Sequence, residues 1–253
     1  AQVSIQEGPG EALSWLNAGT QYVDRALAMD PRNPQAYLAR GKLAYARWRY
    51  GLAETPRDSD RAFQQALADL EEARTLDPSM AEAWSILSLL HSEEADNTSA
   101  KLAAQRAYEA DEFLQNADEV LFRLYATSYD LEQFRDATRF CDQGRERFPN
   151  HVLFRECRLW LLAAPSTQAP DPDPAEAWNV LEAYLDAAPG SLRDYLRLKG
   201  QILVAGTLGR AELADSAEAV LTRSRPSPQE DPEMELLGLE AMVRLHMGQK
   251  DQA

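Results

Sequence analysis

A phrase that recurs with fixed punctuation constrains this 253-residue chain more than any other feature. Residues 33–41 read NPQAYLARG and residues 78–88 read PSMAEAWSILS, and an Asp-Pro pair introduces each, Asp30-Pro31 and Asp77-Pro78. In both phrases a large aromatic, Tyr37 or Trp84, stands four residues before a small residue, Gly41 or Ser88. On a helix that spacing puts the two on one face. Asp77 to Asp111 and Ala66 to Ala100 are each 34 residues apart. A fixed period of that size signals units that bury their apolar faces only by stacking on one another.

Local signals point the same way. Within 79–112, apolar residues fall at Met80, Ala83, Trp84, Leu87 and Leu90, then at Ala100, Ala103, Ala104 and Ala107. That is helical periodicity on two successive segments joined by a short polar turn, a helical hairpin. Ser79 with Glu82, and Asn116 with Glu119, have capping-box spacing. Asn33-Pro34 and Asp173-Pro174 put a cap acceptor before a proline suited to the first helical position. Alanine at 66, 73, 100, 107, 137 and 177 permits close helix approach, while Trp84, Phe154, Leu121 and Leu196 fill the space between neighbours.

With its period and its aromatic, small and proline positions, the chain resembles the tetratricopeptide repeat (TPR) family over most of its length. The resemblance implies an all-α fold, a right-handed α-α superhelix of about six to seven helical hairpins. The units are expected at about 1–31, 32–78, 79–112, 113–149, 150–189, 190–228 and 229–253, the last incomplete, in one solenoid. Departures from the family pattern are local. Glu112 stands where the family usually has proline, and Tyr125 takes the usual small position, which predicts looser packing of that hairpin. The stretch 46–60 is inserted, and Arg47, Trp48, Arg49 and Tyr50 are expected to extend a first helix into a projecting amphipathic ridge. A lengthened pair of this kind is similar to repeat arrays of bacterial signalling proteins such as serine/threonine kinases, although no kinase motif is present. The Pro-rich stretches 165–174 and 224–232 read as loops.

Composition narrows the function classes. Forty-one acidic against 26 basic residues give a net charge of −15, which repels phosphate backbones and argues against general nucleic-acid or anionic-membrane binding. No apolar run reaches the roughly 18 residues a membrane span needs. No signal-peptide pattern is present and a cytoplasmic place is the favoured reading, but the first residue is Ala rather than Met, so an extracytoplasmic place after processing stays open. Cys141 and Cys157 are too few for a disulfide framework. They flank Pro149 symmetrically and could be neighbours, but two unbonded small hydrophobes is the preferred reading.

Catalysis needs polar groups that converge, and the sequence offers none. His91, His151 and His246 fall in three different units without metal-ligand spacing, and His91 sits where the family often has a packing tyrosine. There is no GxGxxG, GxxxxGK[ST] or GxSxG, so no cofactor is expected. The acidic runs read as solvated faces, and Asn97-Thr98-Ser99 reads as a turn.

In the family the first helix of each unit lines a concave side that takes peptides or partner helices. Helical spacing maps that face to Leu38, Lys42 and Tyr45; Ser85 and Leu89; Phe122, Ala126 and Tyr129; Arg155 and Leu159; Arg197 and Gln201. Aromatics and arginines are enriched at binding hot spots. The expected partner is therefore a protein or peptide segment with apolar anchors and a carboxylate. The alternatives are packing of Phe122 and Tyr129 against the adjacent unit, with the arginines paired to Glu119 and Asp194. Recognition of chaperone C termini is not expected, since Lys42 lacks an asparagine one turn away. The protein reads as a non-catalytic interaction scaffold; the competing class is a regulatory module binding a small ligand or peptide. A last helix over about 231–247 would leave Met234, Leu237, Met242, Val243 and Leu245 uncovered, which predicts self-association or further repeats at that end.

Overall fold

A computed structural model describes residues 9–227 and 229–249. Among these residues the secondary structure is helical throughout, in twelve helices: α1 (Pro9–Met29), α2 (Pro34–Arg49), α3 (Pro56–Leu76), α4 (Ala81–Glu93), α5 (Asn97–Ala110), α6 (Ala117–Asp130), α7 (Phe134–Arg147), α8 (Val152–Ala163), α9 (Pro174–Ala187), α10 (Arg193–Arg210), α11 (Ala214–Arg223) and α12 (Glu235–His246). The chain divides at Arg123 and Leu124, inside α6, into two compact units.

Helix starts follow short-range chemistry in some places and not in others. Asn33, Thr55, Asp96 and Asp173 each cap the following helix by accepting a backbone N–H three residues on. The Asp96 cap makes Asn97, Thr98 and Ser99 the first turn of α5. Ser79 does not cap α4. Its hydroxyl instead donates to Asp77 at 2.6 Å, because Met80 takes the cap position and Glu82 turns to Lys42. The Asn116 amide likewise leaves the helix start and donates to the Ser85 hydroxyl at 2.9 Å.

Four of the connections from first to second helix, and the end of α12, share one geometry that the sequence does not advertise; the longer connection from α8 to α9 does not. Gly51, Ala95, Glu132, Glu212 and Gly248 all have φ between 56° and 80°. The residue after each donates to the carbonyl five positions back, Leu52 to Arg47, Asp96 to His91, Gln133 to Ser128, Leu213 to Leu208 and Gln249 to Arg244. These are Schellman caps closed by a left-handed residue. Only two of the five are glycine.

In the first unit α2 packs on α3, α3 on α4, and α4 on α5, with α1 laid against α2. The core joins Leu38, Leu70, Ala73, Leu87, Leu90 and Ala103. Each fully buried leucine contributes about 1.5–3 kcal/mol. A Cβ on Gly41 would lie 2.8 Å from Leu70 Cγ, so the aromatic-to-small spacing marks a real close approach of α2 and α3. Arg40 binds Asp69 through Nε and Nη2 at 2.9 and 2.8 Å and Asp24 at 3.0 Å, tying α1, α2 and α3 together. The inserted stretch does lengthen α2 to Arg49, but Trp48 packs edge-on against Phe63 of α3 at 5.1 Å instead of projecting.

In the second unit α8 packs on α7, α9 and α10, and α10 on α9, α11 and α12. Tyr125 is buried and its hydroxyl reaches the Cys157 carbonyl at 3.3 Å. The loop 165–173 is held from within, since Arg210 donates to the carbonyls of Leu162, Pro170 and Ser166 at 2.7, 3.0 and 3.3 Å. The cysteines are not two unbonded hydrophobes. Cys141 of α7 and Cys157 of α8, both fully buried, form a disulfide with their Cα atoms 5.9 Å apart. The end of α12 also differs from expectation: Val243 belongs to the core and Leu237 is half-buried, while Met234, Met242 and Leu245 stay exposed.

Two outcomes follow from this packing. Replacing Ala95, Glu132 or Glu212 with glycine removes the steric cost of a side chain in the left-handed region, about 1 kcal/mol. Each is expected to raise the melting midpoint by about 2–4 °C, whereas Glu182→Gly on the exposed face of α9 lowers it; calorimetry checks both. Reduction of Cys141–Cys157, which closes a 16-residue separation, is expected to destabilise the second unit by about 3 kcal/mol. Urea melts with and without reductant measure it.

Candidate functional site

The first helices of the first unit enclose one recess. Its walls are Tyr45 and Tyr50 from the extended α2, Ser85, Ile86, Ser88 and Leu89 from α4, and Asn116, Glu119, Val120 and Arg123 at the start of α6, around a volume of about 220 Å³. The insertion after residue 46 is what brings Tyr50 there, because it carries α2 on to Arg49 and leaves Tyr50 at the C-cap, exposed. Tyr45 is braced by Trp48, with ring centroids 6.0 Å apart. Burial pushes the Tyr45 phenol above its ordinary pKa and holds the Arg123 guanidinium below its own, although Glu119 and Glu93 oppose the second shift. The recess thus combines aromatic faces, an aliphatic side chain, an amide and a desolvated cation.

Of the residues expected on the concave face, the structure gathers Tyr45, Ser85 and Leu89 in this recess. Leu38 is buried in the core and does not line the recess. Its position is seven residues after the repeat proline, and the equivalents Ser85, Glu156 and Leu239 are also buried, so this register faces a neighbouring helix. Lys42 is committed to Glu82 at 2.5 Å. Phe122 is half-buried on α6 beside the recess without lining it.

The remaining expected residues, Tyr129, Arg155, Arg197 and Gln201, belong to the second unit. Tyr129 packs edge-on against Phe134 and Trp160 and donates to the Trp160 carbonyl at 3.4 Å. Arg155 Nε donates to the Pro149 carbonyl at 2.9 Å. Tyr37 and Trp84 do the same to Pro31 and Pro78 at 3.3 and 2.9 Å, each six residues back. Arg155 therefore holds a structural position of the repeat. Arg197 pairs with Asp194 at 3.0 Å, and Gln201 accepts from Ser224 of the turn after α11 at 3.0 Å.

First-helix positions in the second unit are tied up in their own network. The buried carboxylate of Glu156 accepts from Trp160 Nε1, Tyr184 Oη and Lys199 Nζ at 2.8, 2.8 and 2.6 Å. Burial, with Glu156 adding to it, drives the Tyr184 phenol well above its ordinary range. A larger cleft of about 630 Å³ lies between α1, α2 and α3. Its arginines are already engaged: Arg40 by Asp24 and Asp69, Arg47 by Asn17, and Arg61 by Asp58. Among the described residues no group of three His, Cys, Asp or Glu is placed to hold a metal ion, and no helix is long and apolar enough to cross a membrane.

No family model matches the chain, and no curated protein matches it either. Solved structures do. The chain is similar to YrrB, a TPR protein with an unusual peptide-binding site, at 18% identity and a TM-score of 0.62, over 90% of this chain and 98% of that one. It is similar also to PilF of Pseudomonas aeruginosa at 17% identity and a TM-score of 0.53, over 90% and 94% of the two chains. At such identities the likeness establishes the fold, which is all-α and of the tetratricopeptide kind.

Burial sets the alkaline limit of this arrangement. The Tyr129 phenol is pushed up to about 12, against about 10 in an unfolded chain, and the buried Tyr125 moves the same way. A raised folded pKa contributes stability in full below pH 10 that is lost as pH climbs through 12. Melting midpoints are expected to fall steeply across that window, and Tyr129→Phe is expected to flatten the fall.

Proposed function

We propose that the protein is a non-catalytic scaffold whose recess between α2, α4 and α6 holds an extended segment of another polypeptide. The observation that carries this reading is the placement of Tyr45, Tyr50 and Leu89 in one recess with the mostly buried guanidinium of Arg123. Aromatic side chains give a large contact area for little lost rotamer freedom, and a partly desolvated cation interacts with an incoming carboxylate more strongly than a solvated one does. The segment expected there carries apolar anchors and an acidic group. Elsewhere the protein is strongly acidic, which disfavours acidic partners and makes that one cation selective for position.

Size supports a polypeptide over a metabolite. Pockets that enclose small ligands span about 300–1,000 Å³, and the recess, at about 220 Å³, suits one or two side chains of a longer chain. The peptide-binding site of YrrB gives the reading a precedent on the same fold. The buried Cys141–Cys157 disulfide supports an oxidising compartment as the place of work, since such bonds persist there and are rare in the cytosol.

The test is a fluorescent library of extended peptides pairing aromatic or aliphatic residues with Asp, Glu or a free C terminus. Wild-type hits are expected to weaken by about tenfold or more for Tyr45→Ala and for Arg123→Met, the loss usual for a hot-spot truncation. Lys199→Met, in the other unit, should leave them unchanged. Equal binding by Tyr45→Ala and Arg123→Met proteins that retain full helical circular dichroism would sink the proposal.

A further inference from the structure

The connection from α8 to α9, residues 164–173, carries a site of its own. It lacks the left-handed turn that closes the shorter connections. Side chains on such a loop become useful when a rigid scaffold positions them. Here the scaffold is Arg210, at the end of α10, whose bonds to the carbonyls of Leu162, Ser166 and Pro170 pin both ends of the loop. Within it the Ser166 N–H donates to the Ala164 carbonyl at 2.8 Å, and the Gln168 N–H to the Ser166 hydroxyl oxygen at 3.2 Å. Ser166 and Thr167 are thereby fixed on the wall of a pocket of about 330 Å³, which α10 and α12 close from the other sides. A Cβ on Gly209 would lie 2.6 Å from Met247 Sδ, so this glycine lets the end of α12 close on α10. Every wall belongs to the second unit.

The pocket holds a charge that nothing nearby cancels. Arg40, Arg158 and Arg244 each pair with a carboxylate, of Asp69, Glu176 and Glu218. Arg210 also lines the pocket and is half-buried, yet among the described residues its hydrogen bonds go to neutral carbonyls alone. Carbonyl dipoles ease the desolvation of a guanidinium but carry no net charge, so the site stays cationic. Burial holds the Arg210 pKa below its ordinary value, with Asp171 and Tyr129 opposing, and neither of those two lines the pocket. Among the described residues no carboxylate does. Donors, by contrast, converge there. The planar guanidinium has N–H groups beyond those the loop takes, and the Ser166 hydroxyl, which accepts from Gln168, keeps its own proton to donate. Thr167 adds a second hydroxyl, and His246 presents an N–H in either protonation state.

We infer that this pocket binds a small organic anion, with its carboxylate or phosphate group held by Arg210, Ser166, Thr167 and His246 and its carbon body laid against Val243 and Met247. The volume of about 330 Å³ falls at the lower end of sites that enclose small ligands, about 300–1,000 Å³. The net charge of −15 does not prevent binding. Exposed charges more than about 8 Å away are largely screened at physiological ionic strength, whereas a partly desolvated cation in contact with the ligand is screened much less. The scaffold thus takes a small ligand in its second unit, by chemistry separate from that of the recess in the first.

Isothermal titration calorimetry at fixed ionic strength tests this with acetate, succinate and glycerol 3-phosphate, the last two beside their uncharged analogues succinamide and glycerol. At least one anion is expected to bind more tightly than about 1 mM, and its identity separates carboxylate from phosphate. Thr167→Val and His246→Leu change exposed side chains, so both proteins should keep their helical content. Each is expected to weaken binding by about tenfold, the loss usual for a hydrogen bond to a charged group. Binding that both variants retain in full overturns the inference, as does equal binding of an uncharged analogue. So does the absence of binding by all three anions up to about 10 mM, including the case in which a short acidic peptide binds instead, since the ligand would then be a polypeptide side chain.

Discussion

A single helical hairpin of about 34 residues carries apolar side chains on more than one face, and it cannot bury them all by folding on itself. Everything in the two units answers that constraint. Alanine and glycine at the crossings let helices approach until Leu70 lies against Gly41, and larger side chains fill the spaces that remain. Stability is accordingly shared between neighbours and not concentrated in one central core.

Polar groups inside this packing are joined in small closed sets. Asp69 is held by Arg40 and Gln65, Glu156 by Trp160, Tyr184 and Lys199, and Arg244 by Glu218 and Glu240. Removing one member of such a set leaves a buried charge uncompensated, which costs more than the intact set contributes. These sets fix which helix meets which, and they commit much of the first-helix surface of the second unit. The recess in the first unit differs in kind, because aromatic and aliphatic surface there stays open beside a cation.

The sites were less legible than the helices for reasons particular residues make plain. Tyr45, Ser85 and Leu89 could be placed on the open face by counting along a helix, since their register does not depend on anything far away. Leu38 and Arg155 could not. Leu38 lies one residue past Tyr37 and Arg155 lies at its equivalent, and only the repeat proline, counted forward by six and seven, separates a side chain that bonds back to the loop from one that enters the core. That count was available in the sequence and would have removed both, but it would have removed Ser85 too, which shares the register of Leu38 and still lines the recess. Asn116, Glu119 and Arg123 carried no such signal, because their membership of the recess depends on where α6 starts relative to α2 and α4.

The amino-acid sequence by itself determined the all-helical repeat fold and the caps at Asn33 and Asp173, since these depend on interactions within a few residues or on a period that can be counted along the chain. Only the tertiary structure decided that Ala95, Glu132 and Glu212 adopt the glycine-like turn, that Cys141 meets Cys157, and that Tyr50 overhangs a recess. Each of those needs helices of known length brought into contact, so that a backbone conformation or a side-chain encounter is imposed by packing from elsewhere in the chain rather than chosen by the residue itself.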